Sequence, residues 1–489
     1  MNIPYLKMEN GFVRLFVDDK PFFILGLQLD CDSCYEPETI ITLMKEARRL
    51  GCNSVALLLY WRLIEPSEGN YDFGILDVML DAARELDLRI VLVWFGGYKN
   101  GCMNYTPRWV FGDHGRFERA YTKGGESLDN IACPTCETTL KADKAAVCAV
   151  FRHLSCHDDT RRVILFQINN EIGVLGTERC YCPRCNSLFD TGRYEALESE
   201  PTQAFCTDSF LSYHERIAED AKLIYPLPCY LNAWLSGKSP AVKPGQYPAG
   251  GPEERALPRY LQKKRNVDFV SPDIYGTSFR NFHATCRAYT THDNPLYVAE
   301  HGSGINSRAE KNVFYCLEYG AIGFDPWAID CSTHPSQSAR PMVNLRTLRW
   351  SDEAYELHDS YVAINDAMEI AARYGGTDKM QVWVQEEGEN RCALQFDDIW
   401  AEISYVGRGQ DSRGFIARIN DKTFIVAGCS ANLMFVGSDG IYKSDIQSLR
   451  GVCVNDKFAA ERVNRREGTG GPRPIRLSMP GAYQITIGD

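Results

Sequence analysis

Two glutamates in this 489-residue chain stand where acid–base chemistry could be done. Glu171 closes the run Phe166-Gln167-Ile168-Asn169-Asn170-Glu171, and Glu300 closes Leu296-Tyr297-Val298-Ala299-Glu300. Each follows an apolar stretch that reads as a buried strand, where ionising a carboxyl is costly. Two carboxyls about 5–5.5 Å apart, one kept protonated and one ionised, can open a glycosidic bond by double displacement with retention of configuration. A single strand-end glutamate is more commonly a surface cap on the following loop. Two at such positions, with Asn170 beside one of them, favour the chemical reading.

Thiols form the second constellation. Cys180-Tyr181-Cys182-Pro183-Arg184-Cys185 places three of them close enough to converge on one tetrahedral Zn²⁺, which then needs a fourth ligand. Spacing alone allows Cys133 or Cys136, from Cys133-Pro134-Thr135-Cys136, or Cys206. Four thiolates leave no open position, so such a metal is structural and ties two loops together. The plainer alternative is a set of reduced thiols without metal. Nineteen cysteines, odd in number and scattered, fit a disulfide framework poorly.

Aromatic side chains near other strand ends could stack on the C–H face of a sugar: Trp234, Tyr275 and Trp327. Lys99 and Asn100 are candidates for holding sugar hydroxyls. His301 directly follows Glu300 and reads best as a packed histidine.

These residues need elements to position them. Short apolar runs recur at Phe22 to Asp30, Asn53 to Tyr60, Arg89 to Phe95, Arg162 to Asn169, Pro228 to Ala233, Val267 to Ile274, Leu296 to Ala299 and Ala321 to Asp325. Helical patterns lie between most of them, among them Glu38 to Leu50, Gly74 to Asp87 and Asp143 to Cys156. Runs such as Val55-Ala56-Leu57-Leu58-Leu59 suit parallel strands buried on both faces. Eight strand–helix repeats predict an α/β fold, a (β/α)8 TIM barrel, over 1–350 with an insertion at about 96–142. A helix from Asp352 to Tyr374 and a linker fill 351–376. Short alternating segments, including Met380 to Gln385, Arg391 to Phe396, Phe415 to Asn420, Thr423 to Cys429 and Ala482 to Ile487, then predict a smaller C-terminal antiparallel β domain over 377–489.

An Asn-Glu pair closing strand four and a Glu closing strand seven resemble the signature of the clan A glycoside hydrolases. The stretch from Trp61 through Glu65-Pro66, Gly69 and Tyr71-Asp72-Phe73 is similar to a segment of β-galactosidase families 35 and 42. Phe95-Gly96-Gly97-Tyr98-Lys99-Asn100-Gly101 is similar to a Trp-Lys-Asn segment of bacterial family 35-like enzymes, with Tyr98 in place of Trp. The cysteine run resembles the structural zinc site of family 42. The resemblance covers most of residues 10–345. It implies Glu171 as acid/base, Glu300 as nucleophile and Asn170 as a partner of the sugar 2-hydroxyl. It implies Cys133, Cys180, Cys182 and Cys185 as the zinc ligands, galactose as the favoured sugar, and association into a homo-oligomer.

The remaining composition narrows the classes. A net charge of -11 excludes a broadly basic nucleic-acid-binding face. Lys263-Lys264-Arg265 reads as a solvated helix end. No apolar stretch is long enough to span a membrane, and the start lacks a signal pattern, so a cytoplasmic location is expected. No Gly-x-Gly-x-x-Gly turn follows the first strand, which weakens a dinucleotide-binding reading, and no organic cofactor is expected. The sequence therefore points to an enzyme cleaving terminal β-linked sugars from oligosaccharides or glycosides. A transglycosylase on the same scaffold would use the same residues, and a non-catalytic carbohydrate-binding barrel would not need both carboxylates. A catalytic zinc hydrolase is disfavoured, because no His-Glu-x-x-His is present.

Overall fold

The computed structural model describes residues 2–236, 241–276, 278–303, 307–330, 341–406, 411–443, 448–451 and 474–488. Eight parallel strands form a barrel: β1 (Ile24–Leu25), β2 (Ser54–Tyr60), β3 (Arg89–Lys99), β4 (Val163–Asn170), β5 (Cys229–Trp234), β6 (Phe269–Ile274), β7 (Tyr297–His301) and β8 (Gly323–Pro326). Neighbours pair in chain order from β2 to β8, and β8 pairs with β1. Closure between β1 and β2 runs through the residues just after β1. Gln28 bridges Ala56 on one side and Trp327 on the other, and the Ala56 N–H donates to Leu27 O at 3.0 Å. Every residue of β2, β4 and β6 is buried, as expected for strands covered on both faces.

The helices form because their apolar residues recur at helical spacing. Helix Pro37–Arg49 buries Ile40, Leu43, Met44 and Ala47 at i, i+3, i+4 and i+7. It starts with proline in its first turn, carries Glu38 early and Arg48 and Arg49 late, and so complements its own dipole. Gly51, at φ +91°, supplies the left-handed turn into β2.

The boundaries differ from the sequence expectation in several places. The first strand, expected over Phe22 to Asp30, pairs in the barrel at Ile24–Leu25, and Phe22 ends a strand of a separate sheet. Strand β3 runs on to Lys99, because Gly96 and Gly97 let the chain bend without leaving the sheet. The helix expected from Asp143 already begins at Glu137. The expected helix Asp352 to Tyr374 is two helices, Asp352–Asn365 and Met368–Tyr374, broken at Asp366 and Ala367. An antiparallel sheet of Tyr5–Glu9, Phe12–Val17 and Lys20–Phe22 precedes the barrel. Its first turn, Asn10-Gly11, has both φ values positive, the geometry a two-residue hairpin prefers.

Among the described residues, the C-terminal region holds a five-stranded and a four-stranded antiparallel sheet. The strand Thr423–Cys429 shows how they pack. Phe424 and Val426 join the core between the two sheets, while Ile425 and Ala427 join the core shared with the barrel and its helices. Period-two alternation therefore buries both faces of this strand, so it reads as a continuous apolar run.

Closure of the barrel leaves no room at Gly26. A Cβ there would lie 1.4 Å from Asp325 Oδ1, and the Gly26 N–H donates to Phe324 O. Gly26→Ala is expected to lower unfolding free energy by roughly 1–3 kcal/mol, as overpacked interiors do. Denaturant titration followed by tryptophan fluorescence checks this, and an unchanged midpoint would refute it.

Candidate active site

The C-terminal ends of the barrel strands enclose a cavity of about 690 Å³. Three buried carboxyls line it, and Glu171, Asp273 and Glu300 each present an oxygen within 4.8 Å of the others. Glu171 follows β4 directly and has φ +45°, a left-handed conformation that turns its side chain out of the strand. That backbone is pinned by its N–H, which donates to Asn232 Oδ1 on β5 at 2.8 Å. The Glu171 carboxyl accepts from Asn100 Nδ2. Burial, and then the charge of Glu300, push its pKa up to about 8.

Glu300 lies on β7 and pairs in register with Asp273 on β6. One oxygen accepts from Tyr275 Oη and the other from Gln28 Nε2 at 3.4 Å. Burial raises the Glu300 pKa, while the Lys99 ammonium and these two donors oppose the rise. The two glutamates are chemically alike and both are raised by burial, but Glu171 has the Glu300 charge against it while Lys99 and two donors hold Glu300 back.

Lys99 and Asn100 reach the cavity because of how β3 and β4 interlock behind it. Asn169 Oδ1 accepts from the N–H groups of Gly96 and Tyr98, both at 3.1 Å. Asn169 Nδ2 donates to the buried Asp143, which also accepts from Trp94 Nε1, the Gly97 N–H and Tyr213 Oη. A Cβ at Gly96 would fall 2.0 Å from Trp94 Nε1, so this arrangement requires glycine there. The bend carries Lys99 and Asn100 to the mouth, where Lys99 Nζ donates to Asn100 Oδ1. Burial disfavours the Lys99 charge, but Cys31, Glu171 and Glu300 together raise its pKa.

Of the residues proposed from sequence, Glu171, Glu300, Lys99, Asn100, Trp234, Tyr275 and Trp327 all line this one cavity. Tyr275 and Trp327 meet edge to face with centroids 6.2 Å apart. Trp234 sits at the rim, 39% exposed. Asn170 is placed differently: it is fully buried, and its Oδ1 accepts from Gln167 and Asn232. Its Nδ2 makes a long contact of 3.5 Å to Asn100. His301 packs against Phe282 and Phe324, donates from Nδ1 to Gly302 O and accepts at Nε2 from Asn312. Burial pushes its pKa down to about 4, so it is a neutral, packed histidine. Trp61 is likewise structural, with its indole N–H on Glu65. Asp273, Cys31, Tyr105 and Glu254 line the cavity without having been singled out from sequence. Asp273 could have been found by the strand-end rule that found the glutamates. The others come from loops that carry no such signal.

The four thiols Cys133, Cys180, Cys182 and Cys185 converge beside this site, all buried. Cys133 Sγ lies 3.7 Å from Cys180 and Cys182 and 3.6 Å from Cys185. These separations are far longer than a disulfide at about 2.05 Å. They match the edge of a thiolate tetrahedron, about 3.8 Å for metal–sulfur bonds of about 2.3 Å. Backbone N–H groups of Cys182 and Cys185 donate to Cys180 and Cys182 sulfur. The cluster could therefore hold a metal ion. Cys136 and Cys206 stay outside it, their thiols on Arg116 O and Ala249 O.

Comparisons with known proteins agree with this architecture. The family model Glyco_hydro_42, described as β-galactosidase, matches residues 34–212, and a model of a domain of unknown function, DUF5597, matches 357–463. β-Galactosidase BgaA of Thermus sp is 26% identical over 211 residues, 40% of this chain and 32% of the relative. β-Galactosidase LacZ of Lactobacillus acidophilus is 24% identical over 143 residues, 29% of this chain and 20% of that one. The chain therefore aligns with only a minor part of these relatives. The crystal structure of β-galactosidase from Bacillus circulans sp. alkalophilus superposes with a TM-score of 0.54 at 15% identity, covering 72% of this chain and 57% of that one. The exo-β-1,4-mannosidase Op5Man5 from Opitutaceae bacterium strain TAV5 gives 0.50 at 15% identity, covering 76% and 63%. At such identities the structural likeness shows the fold alone. By sequence over residues 34–212 and by fold over the barrel, the chain resembles the family 42 β-galactosidases and, more broadly, the clan A glycoside hydrolases.

Proposed function

We propose that the protein is a retaining β-glycosidase that removes a terminal β-linked sugar, with Glu171 as general acid/base and Glu300 as nucleophile. The observation that carries this reading is the pair of carboxyls in one cavity, with oxygens within 4.8 Å, Glu171 raised by burial and the charge of Glu300, and Glu300 kept beside Lys99 and two donors that oppose its rise. Inverting enzymes hold their carboxyls about 6.5–9.5 Å apart to admit a water between them. In the first step Glu171 protonates the glycosidic oxygen while a Glu300 oxygen attacks the anomeric carbon, forming a glycosyl ester as the leaving group departs. In the second, Glu171, now a carboxylate, takes a proton from water as that water attacks the same carbon and releases Glu300. Tyr275 and Gln28 aim the Glu300 oxygens, and Lys99 balances their charge. Trp327 and Tyr275 offer faces and edges to the sugar, and Lys99 and Asn100 its polar partners. Asn170, behind the cavity wall, acts on the sugar only through Asn100, which its Nδ2 meets at 3.5 Å. The cavity volume falls in the range of small-ligand sites, about 300–1,000 Å³, and galactose is the sugar favoured by resemblance.

Transfer to a second sugar instead of water would use the same residues. The exposed Trp234 at the rim suits such an acceptor. Product analysis with added acceptor sugars distinguishes the two outcomes.

Hydrolysis of a panel of aryl β-glycosides tests the reading. Glu300→Ala should abolish turnover, and Glu171→Ala should lower it by about 10²–10⁴-fold, with azide restoring release as a glycosyl azide. Product NMR should show retention, and inversion would exclude Glu300 as nucleophile. The reaction needs Glu171 protonated, so kcat/KM should fall as pH rises through about 8. Protonation of Glu300 should produce an acid limb above the ordinary carboxylate range.

We further propose that the thiol cluster holds a structural Zn²⁺, which would brace the loops after β3 and β4. Metal analysis should find one zinc per chain. Cys185→Ser should lose it and lower the melting temperature, whereas Cys136→Ser and Cys206→Ser should retain it. Equal metal content in all three variants would refute this ligand set.

A further inference from the structure

Asp273 is a third carboxyl in the cavity, and the glycosidase reaction as derived has no task for it. It lies near the end of β6, in register with Glu300 on β7 and Trp234 on β5, and is 3% exposed. Its Oδ2 accepts from Asn232 Nδ2 at 2.7 Å. Its Oδ1 is buried without a hydrogen-bond partner, yet the carboxyl has an oxygen within 4.8 Å of Glu171 and Glu300. The groups that face it are Glu171 on β4, Glu300 on β7, Lys99 on β3, and the phenols Tyr230, Tyr275 and Tyr289. Glu254, at the cavity wall, is engaged by the Thr285 hydroxyl. Lys99 is the one cation among these facing groups.

An ionised Asp273 would leave Oδ1 as an uncompensated buried acceptor beside two other carboxyls, an arrangement that like charges at this distance do not tolerate. A proton on Oδ1 removes both difficulties at once, because the hydroxyl can then donate to a Glu171 carboxylate oxygen. We propose that Asp273 is a positioning residue for the reaction above, held as the neutral acid, whose O–H donates to Glu171 once Glu171 has protonated the leaving group. The charge count supports this at each stage. Before the first step, Glu300 is an anion against the Lys99 cation, and Glu171 and Asp273 are neutral. After it, Glu300 is a neutral ester, Glu171 is the anion against Lys99, and Asp273 remains neutral. The cluster stays at net zero throughout, and the proton that leaves Glu171 is the one water returns in the second step. Burial, followed by the charges of Glu300 and Glu171, pushes the Asp273 carboxyl well above its ordinary range, in agreement with the geometry.

The inference rests on the glycosidase reading, and its test separates the two. Asp273→Ala removes the donor, so kcat should fall by about tenfold or more and the basic limb of kcat/KM should move to higher pH. Asp273→Asn can accept from Asn232 through its oxygen and donate to Glu171 through its amide, so it should recover most of the loss and return the limb toward the wild-type position. If Asp273 were ionised in the wild type, Asp273→Asn would instead remove a neighbouring negative charge and lower the limb by about a unit or more, which overturns the proposal. A second readout needs no turnover. Wild-type minus Asp273→Asn difference infrared spectra above pH 8, where Glu171 is ionised, should show a protonated carboxyl band from Asp273. Glu171→Gln, which retains Asp273, should shift that band above pH 8 by changing its acceptor. Absence of the band from that difference refutes the Asp273 assignment whether or not any glycoside is cleaved. Failure of every glycoside with the band present refutes the role in catalysis and leaves the glycosidase reading as the one at fault.

Discussion

A parallel barrel sheathed in helices buries both faces of its strands, so polar side chains at the rim must find partners within the rim itself. That constraint organises the site. Asn232 on β5 holds the Glu171 backbone with its oxygen and divides its two N–H donors between Asn170 and Asp273. Gln28 completes the ring closure with its backbone and reaches Glu300 with its side chain. The same desolvation that makes these amides necessary raises the carboxyl pKa values. It thereby favours the protonated form of Glu171 near neutral pH.

The loops that complete the cavity are braced from behind. Asp143 accepts four hydrogen bonds, from Trp94, Gly97, Asn169 and Tyr213, and so locks the bend of β3 against β4. Burial raises the pKa of this carboxyl, and those donors oppose the rise. On the outer side, the thiol cluster joins Cys133, which follows the hairpin strand Ser127–Ala132, to the segment carrying Cys180, Cys182 and Cys185. The Asp143 network thus holds Lys99 and Asn100 beside Glu171, and the metal proposed at the thiol cluster would add a second brace. The C-terminal sheets contribute differently. Their inner strands pack on helices Ala309–Glu318 and Asp352–Asn365, and none of their described residues is among those lining the cavity.

Much of this was legible before any coordinates. Continuous apolar runs bounded by Gly, Pro and Asn announced the eight strands, because a strand covered on both faces has no polar side to show. Glu171 and Glu300 were legible for a related reason: a carboxyl directly after such a run is anomalous by composition. The Cys-x-Cys-x-x-Cys spacing limited where a metal could sit. Elements decided by a few turn residues were less visible, such as the hairpin at Asn10-Gly11 and the break at Asp366 and Ala367. Local propensity there is weak, and neighbouring packing decides the outcome.

The sequence by itself determined the strand–helix alternation, the two glutamates at strand ends and the pool of thiols, because each is a short-range pattern of residue type. Only the tertiary structure decided which residues meet. It chose Cys133 over Cys136 and Cys206, drew Asn170 behind the cavity wall, and set Asp273 among the glutamates. Those outcomes follow from strand register and ring closure. Both join residues far apart in the chain, and no local pattern encodes the distance between them.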